Sequence, residues 1–174
     1  MTPTQTQRIR ILGIDPGSRL TGFGVLDLDG EEASYVASGV VKSLDGDFPA
    51  RLKCIYESMT SIMDEYRPSV IAVESVFMHR NAGSALKLGH ARSAALCATF
   101  AFDVEVHEYA PREIKQAIVG KGSASKEQIQ HMVVRLLGLS QSPVEDAADA
   151  LAAALCHSHQ RRLKRQLGAL AAGS

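Results

Sequence analysis

Residues 8–30 read RIRILGIDPGSRLTGFGVLDLDG. Positions 8–15 alternate and then turn apolar, as a strand does on entering a sheet core. Residues 21–28 (TGFGVLDL) repeat the pattern, and Asp29-Gly30 is a strong hairpin turn signal. A third strand is predicted around residues 34–41. Three early strands joined by short turns make an antiparallel meander.

Beyond the meander the period changes. Phe48, Leu52, Ile55, Met59, Ile62 and Met63 share one helical face, with Asp47 placed to cap and Pro68 to stop the helix. Residues 69–74 (SVIAVE) form a buried-type strand that ends in an acid. An alanine-rich helix is predicted over 82–100, and a strand over 103–109. Pro111 opens a short helix. Ser125 and Gln128 form a capping box for a helix ended by Gly138. Ser142, Pro143 and Glu145 form another capping signature, for a last helix running to about Gln160. Three antiparallel strands followed by βα crossovers imply an α/β fold: a mixed five-stranded sheet with helices on both faces.

The chain has 174 residues and no repeat or linker, which fits one domain over 8–160, a flexible leader at 1–7 and a basic, then Ala/Gly-rich tail at 161–174. No apolar run reaches the ~20 residues of a bilayer span, and the leader lacks a secretory signal. Three scattered cysteines suit a reducing, cytoplasmic setting. Formal net charge is zero, but no acid follows Asp149, and Arg161, Arg162, Lys164 and Arg165 crowd together. Bases also outnumber acids between Val76 and Lys126, a stripe that can attract phosphates or simply be a solvated surface.

Four carboxylates carry the chemical signal. Asp15 ends the first strand and Glu74 ends SVIAVE, and a crossover can place both at one edge of the sheet. Asp146 and Asp149 lie three apart on a helix and share a face. The helix's core stripe, Ala148, Leu151, Ala152 and Leu155, is flanked by these acids. Taken singly, each has a structural reading: Asp146 suits a helix N-terminus, and Asp15 suits the Pro-Gly turn after it. Together, acids without obvious basic partners repel each other unless a cation joins them. Oxygen ligands of this kind suit Mg²⁺ or Mn²⁺, and two such ions can act on a phosphodiester. Cys156, His157 and His159 sit near a helix end without a second ligand pair, which is weak support for zinc. No Rossmann, P-loop or nucleophile-elbow spacing occurs.

The blocks LGIDPGSRLTGFGV, VESVFMHRNAGSALKLGHARSAA, VGKGSASKEQIQHMV and EDAADALAAALCHSH, in this order and spacing, closely resemble the RuvC family of bacterial Holliday junction resolvases. The resemblance spans about residues 9–159. It implies an RNase H-like fold, and maps the family's catalytic, metal-binding acids onto Asp15, Glu74, Asp146 and Asp149. It implies metal-dependent hydrolysis of two symmetry-related phosphodiesters at a four-way DNA junction, with two ions per site. It implies 5′-phosphate and 3′-hydroxyl ends, a homodimer joined partly through helix 82–100, and work beside the RuvAB branch-migration complex. Phe77 resembles the aromatic residue used at the junction; Arg80, Lys87, Lys115 and Lys126 are the bases placed on DNA phosphates. Two other classes share parts of this pattern: an RNase H-like nuclease for RNA–DNA hybrids, and an actin-like nucleotide-binding module with a similar Asp-x-Gly turn. The second needs two such subdomains, and this chain has room for one.

Overall fold

The computed structural model describes residues 8–75 and 81–172. Three strands, β1 (Ile9–Asp15), β2 (Leu20–Asp29) and β3 (Glu32–Lys42), form the meander. Helix α1 (Phe48–Tyr66), β4 (Val70–Glu74), α2 (Ala82–Cys97) and β5 (Glu105–Tyr109) follow. Three helices complete the chain: α3 (Pro111–Val119), α4 (Lys126–Leu137) and α5 (Glu145–Ala172). The strands form one sheet in the order β3-β2-β1-β4-β5. The β1–β2 and β2–β3 pairs are antiparallel, whereas β1–β4 and β4–β5 are parallel, so the sheet is mixed as expected.

Strand alternation sorts the core into two halves. Ile11, Leu26, Val70, Ala72 and Tyr109 point to one face, where α3, α4 and α5 cover them. Leu12, Ile14, Val25, Ile71 and Val73 point to the other, beneath Ile55, Met59 and Met63 of α1 and Ala91 and Ala95 of α2. Among the described residues no helix is long and apolar enough to cross a membrane.

Helix α5 departs from its expected form in three ways. It continues to Ala172, past the expected end near Gln160. Its first hydrogen bond runs from Ala148 N to Val144 O (2.9 Å), so Ser142 is not its cap. From Ala147 to Ser158 every residue except Asp149 is buried, far more than one stripe. The helix lies between the sheet and α3 and α4, and a helix enclosed this way is apolar nearly all round.

The sheet admits α5 at unusually close range. A Cβ built on Gly13 would lie 1.9 Å from Ala150 O, and one built on Gly22 1.9 Å from Asp146 O. Only glycine leaves room for the helix backbone at these two points.

Candidate active site

Asp15 and Glu74 are carried by parity. In β1, Ile11, Gly13 and Asp15 share the α5 face; in β4, Val70, Ala72 and Glu74 do the same. Ile14 pairs with Val73 in parallel register, so the next residue on each strand, Asp15 and Glu74, ends the sheet side by side. Gly22 is the antiparallel partner of Asp15, and the Asp146 carbonyl rests on that glycine. The first turn of α5 is thereby set over the end of β1. Asp149 follows one turn later, the sole break in the buried run.

These groups act on one another electrostatically. Burial, then the charges of Asp149, Glu74 and Asp146, push the Asp15 carboxyl up to about 8, against a small opposing pull from Lys126. Burial and the charge of Asp149 raise Glu74, while Lys115 and Lys126 pull it down. Asp149 is raised chiefly by burial, opposed by Lys126 and reinforced by Glu145 and Asp146. Such mutual elevation is the mark of carboxylates that crowd a cleft. Among the described residues, no three Asp, Glu, His or Cys side chains close around a common point at ion-binding spacing.

The expected bases fall in different places. Lys115, on α3, is half-buried and acts electrostatically on Glu74 and Asp149. Lys126, at the start of α4, is ion-paired with Glu145, which raises its pKa. Both therefore border the carboxylates. Lys87 is exposed on α2. Phe77 and Arg80 lie outside the described residues. Sequence reading missed Glu145 as the tether of Lys126, since its place in the first turn of a helix already has a sufficient local reason.

The donor set is made of hard oxygen ligands, which fits Mg²⁺ or Mn²⁺ and offers nothing soft for zinc or copper. Cys156 and His157 are buried behind the site, and His159 hydrogen-bonds Ala117 O at 3.0 Å, so the weak zinc reading has no geometry behind it.

Residues 11–157 match the family model described as "Crossover junction endodeoxyribonuclease RuvC". A protein of that name from Methylococcus capsulatus is 55% identical over 153 residues, covering 88% of this chain and 92% of its own. The Thermus thermophilus RuvC structure superposes with a TM-score of 0.81 at 35% identity, over 90% of this chain and 97% of that one. The T. thermophilus RuvC in complex with a Holliday junction substrate gives 0.83, again at 35% identity, over 90% and 96%.

Proposed function

The chain belongs to the RuvC family of crossover junction endodeoxyribonucleases, and from that premise we propose that Asp15, Glu74, Asp146 and Asp149 form its metal-dependent cutting site. The protein is a nuclease that resolves Holliday junctions. The decisive observation is that strand parity and the glycine-cushioned approach of α5 bring all four acids to one end of the sheet.

The four carboxylates would hold Mg²⁺ or Mn²⁺. When bound, the ions supply stabilisation of negative charge on the attacking and leaving oxygens of a phosphodiester. The chain's own residues do the rest. Burial and the neighbouring acids raise the Asp15 carboxyl to about 8, and positive charge held in the cleft would lower it again. Lys115 and Lys126 add fixed positive charge beside the acids, where a phosphate backbone must lie. Glu145 keeps Lys126 against the first turn of α5. Water oxygen joins phosphorus and the 3′ oxygen leaves with a proton, giving 5′-phosphate and 3′-hydroxyl ends.

Two opposed cuts require two sites, so the working unit is a homodimer, acting beside the RuvAB branch-migration complex. Leu86 on α2 (63% exposed) and Phe100 just beyond it (70%) supply apolar surface for the contact. Ala91, Ala95 and Ala98 face the chain's own core, which leaves the outward surface to the early turns of α2. Lys87 in that helix, with Phe77 and Arg80 before it, would meet junction DNA. The free thiols of Cys54, Cys97 and Cys156 agree with a cytoplasmic setting.

The test is incision of a synthetic four-way junction, a linear duplex and an RNA–DNA hybrid, with and without Mg²⁺ or Mn²⁺. Junction-selective, ion-dependent cutting is expected. Equal cutting of the hybrid would shift the reading to another nuclease of the same fold.

A further inference from the structure

The turn that follows Asp15 is held more firmly than its length requires. Residues 16–19 join β1 to β2, and a hairpin connection this short closes without outside help. The carbonyls of a surface turn ordinarily face water. Here three in a row are taken. Gly17 O accepts from the hydroxyl of the fully buried Thr21 at 2.9 Å. Ser18 O accepts from Nη2 of Arg51. Arg19 O accepts from the Ser43 backbone N–H at 2.9 Å and from the Ser43 hydroxyl at 3.2 Å.

Arg51 is the centre of this clamp. It lies in the first turn of α1, whose start is fixed by the Asp47 side chain accepting from Ala50 N at 2.9 Å. Its Nε donates to Ser43 O at 2.8 Å while Nη2 reaches Ser18 O. One planar guanidinium therefore joins the β1–β2 turn to the segment that leads from β3 into α1. Among the described residues Arg51 pairs with no carboxylate. Its directed, charge-assisted bonds go to backbone oxygens instead.

The clamp bears on Asp15 from the face that α5 does not cover. On the α5 side, the Asp146 carbonyl rests on Gly22, the antiparallel partner of Asp15. On the α1 side, Arg51 holds the turn three residues past Asp15. The charges of Asp149, Glu74 and Asp146 all act against Asp15, and a loose turn would let its carboxylate swing away from them.

We propose that Arg51 is a positioning residue for the cutting site, locking the turn after Asp15 so that this carboxylate keeps its place at the end of the sheet. In this role it touches neither ion nor DNA. The proposal rests on the nuclease reading above.

The test compares full-length wild type, R51Q, R51K and I62V. I62V trims the buried face of α1 without touching the turn, and supplies a destabilised comparison. Three quantities are read: amide hydrogen exchange at Ser43, Mn²⁺ affinity without DNA, and incision of a four-way junction. R51Q should speed exchange at Ser43, whose N–H is held by Arg19 O. It should also weaken Mn²⁺ binding about tenfold, the lower end of the roughly 10–100-fold that loss of a supporting partner costs a metal site. Incision at limiting Mn²⁺ should fall with it, while junction affinity without metal stays at the wild-type value. R51K keeps the charge but lacks the fork, and should lie between wild type and R51Q. I62V should lower Tm and leave Mn²⁺ affinity unchanged. Wild-type Mn²⁺ affinity in R51Q, full restoration by R51K, or an equal loss in I62V overturns the clamp. A wild type that binds Mn²⁺ but cuts hybrids as readily as junctions fails the junction reading alone, and the loss of Mn²⁺ affinity in R51Q then still supports the clamp. A wild type that binds no Mn²⁺ overturns both.

Discussion

Asp15 and Asp27 sit on neighbouring strands of one sheet, and their surroundings drive them in opposite directions. Asp27 is 3% exposed, yet a hydrogen bond from Arg10 (2.8 Å), with Arg8 assisting, holds its carboxyl below the usual range. It is a buried structural charge with its partners supplied. Asp15 has burial and three acids against it, and only a distant lysine for it. The sign of its effect on stability follows. A carboxyl whose folded pKa is about 8 binds more protons folded than unfolded between about pH 4 and 8, so the fold loses stability as pH rises across that window. Without divalent ions, D15N should flatten this slope and raise Tm at pH 8, by about 2–4 °C for each kcal/mol of repulsion relieved. A thermal melt series from pH 4 to 9 measures it; equal slopes in both proteins would show that Asp15 is not elevated. In the presence of Mg²⁺ or Mn²⁺, D15N, E74Q, D146N and D149N should each cut at least about 100-fold more slowly, because several kcal/mol of transition-state stabilisation depend on the charges they remove. Junction binding should survive in all four. Wild-type cutting by any one of them would remove that residue from the site.

The elements place these side chains through backbone contact. Gly13 and Gly22 let α5 lie against β1 and β2, and each is blocked by a helix carbonyl at 1.9 Å from a Cβ. G13A and G22A should each cost about 1–3 kcal/mol by overpacking, read as a lower Tm. G22A should lose more incision than its stability explains, because the carbonyl it displaces belongs to Asp146. G89A on α2 is the control: nothing lies within 4 Å, and it should gain up to about 1 kcal/mol of helix propensity. If G22A cuts normally, the close approach of α5 does not position Asp146. The strands and α1 to α4 were legible in the sequence because alternation, capping residues and Gly or Pro stops marked most of their ends; α2, which has no Gly or Pro stop, ends at Cys97 rather than at residue 100, and β5 starts at Glu105 rather than 103. Helix α5 was not. Beyond Ser158 it has no buried face, so periodicity gives no signal, and the turns to Ala172 rest on good helix formers and on surface ties such as Arg162 to Glu31 at 3.0 Å. Its burial on all sides depends on α3 and α4, a tertiary fact that no local pattern carries. Three of the acids could be found because Asp15 and Glu74 end strands and Asp149 breaks an apolar helix, and Asp146 because it lies one turn before Asp149 on the same face. The pairing of His157 with Tyr109 joins residues 48 apart, and no local pattern announces it.

At the scale of the whole molecule, the count of sites sets the logic. The described residues place one set of four carboxylates at one end of one sheet, and a cutting site built from it, as proposed above, would act on one strand at a time. A four-way junction needs two cuts in opposed strands to become two duplexes. The two-fold dimer proposed above would supply the second site without new machinery, because an isologous contact repeats every surface feature about its axis. The exposed Leu86 and Phe100 give such a contact apolar surface, and they lie on the opposite face of the sheet from α5. Each proposed active site would then be complete within its own chain, with no acid borrowed from the partner. This arrangement predicts the behaviour of a mixed dimer, wild type joined to D15N, offered a junction extruded from a supercoiled plasmid. One intact site should make one incision, and release of supercoiling then lets the junction be reabsorbed before a second encounter. The expected product is nicked circle with almost no linear DNA, at about half the nicking rate of the wild-type dimer since one of its two sites is lost. Linear product at the wild-type rate would mean that a single site makes both cuts, and complete inactivity would mean that the two sites must fire together.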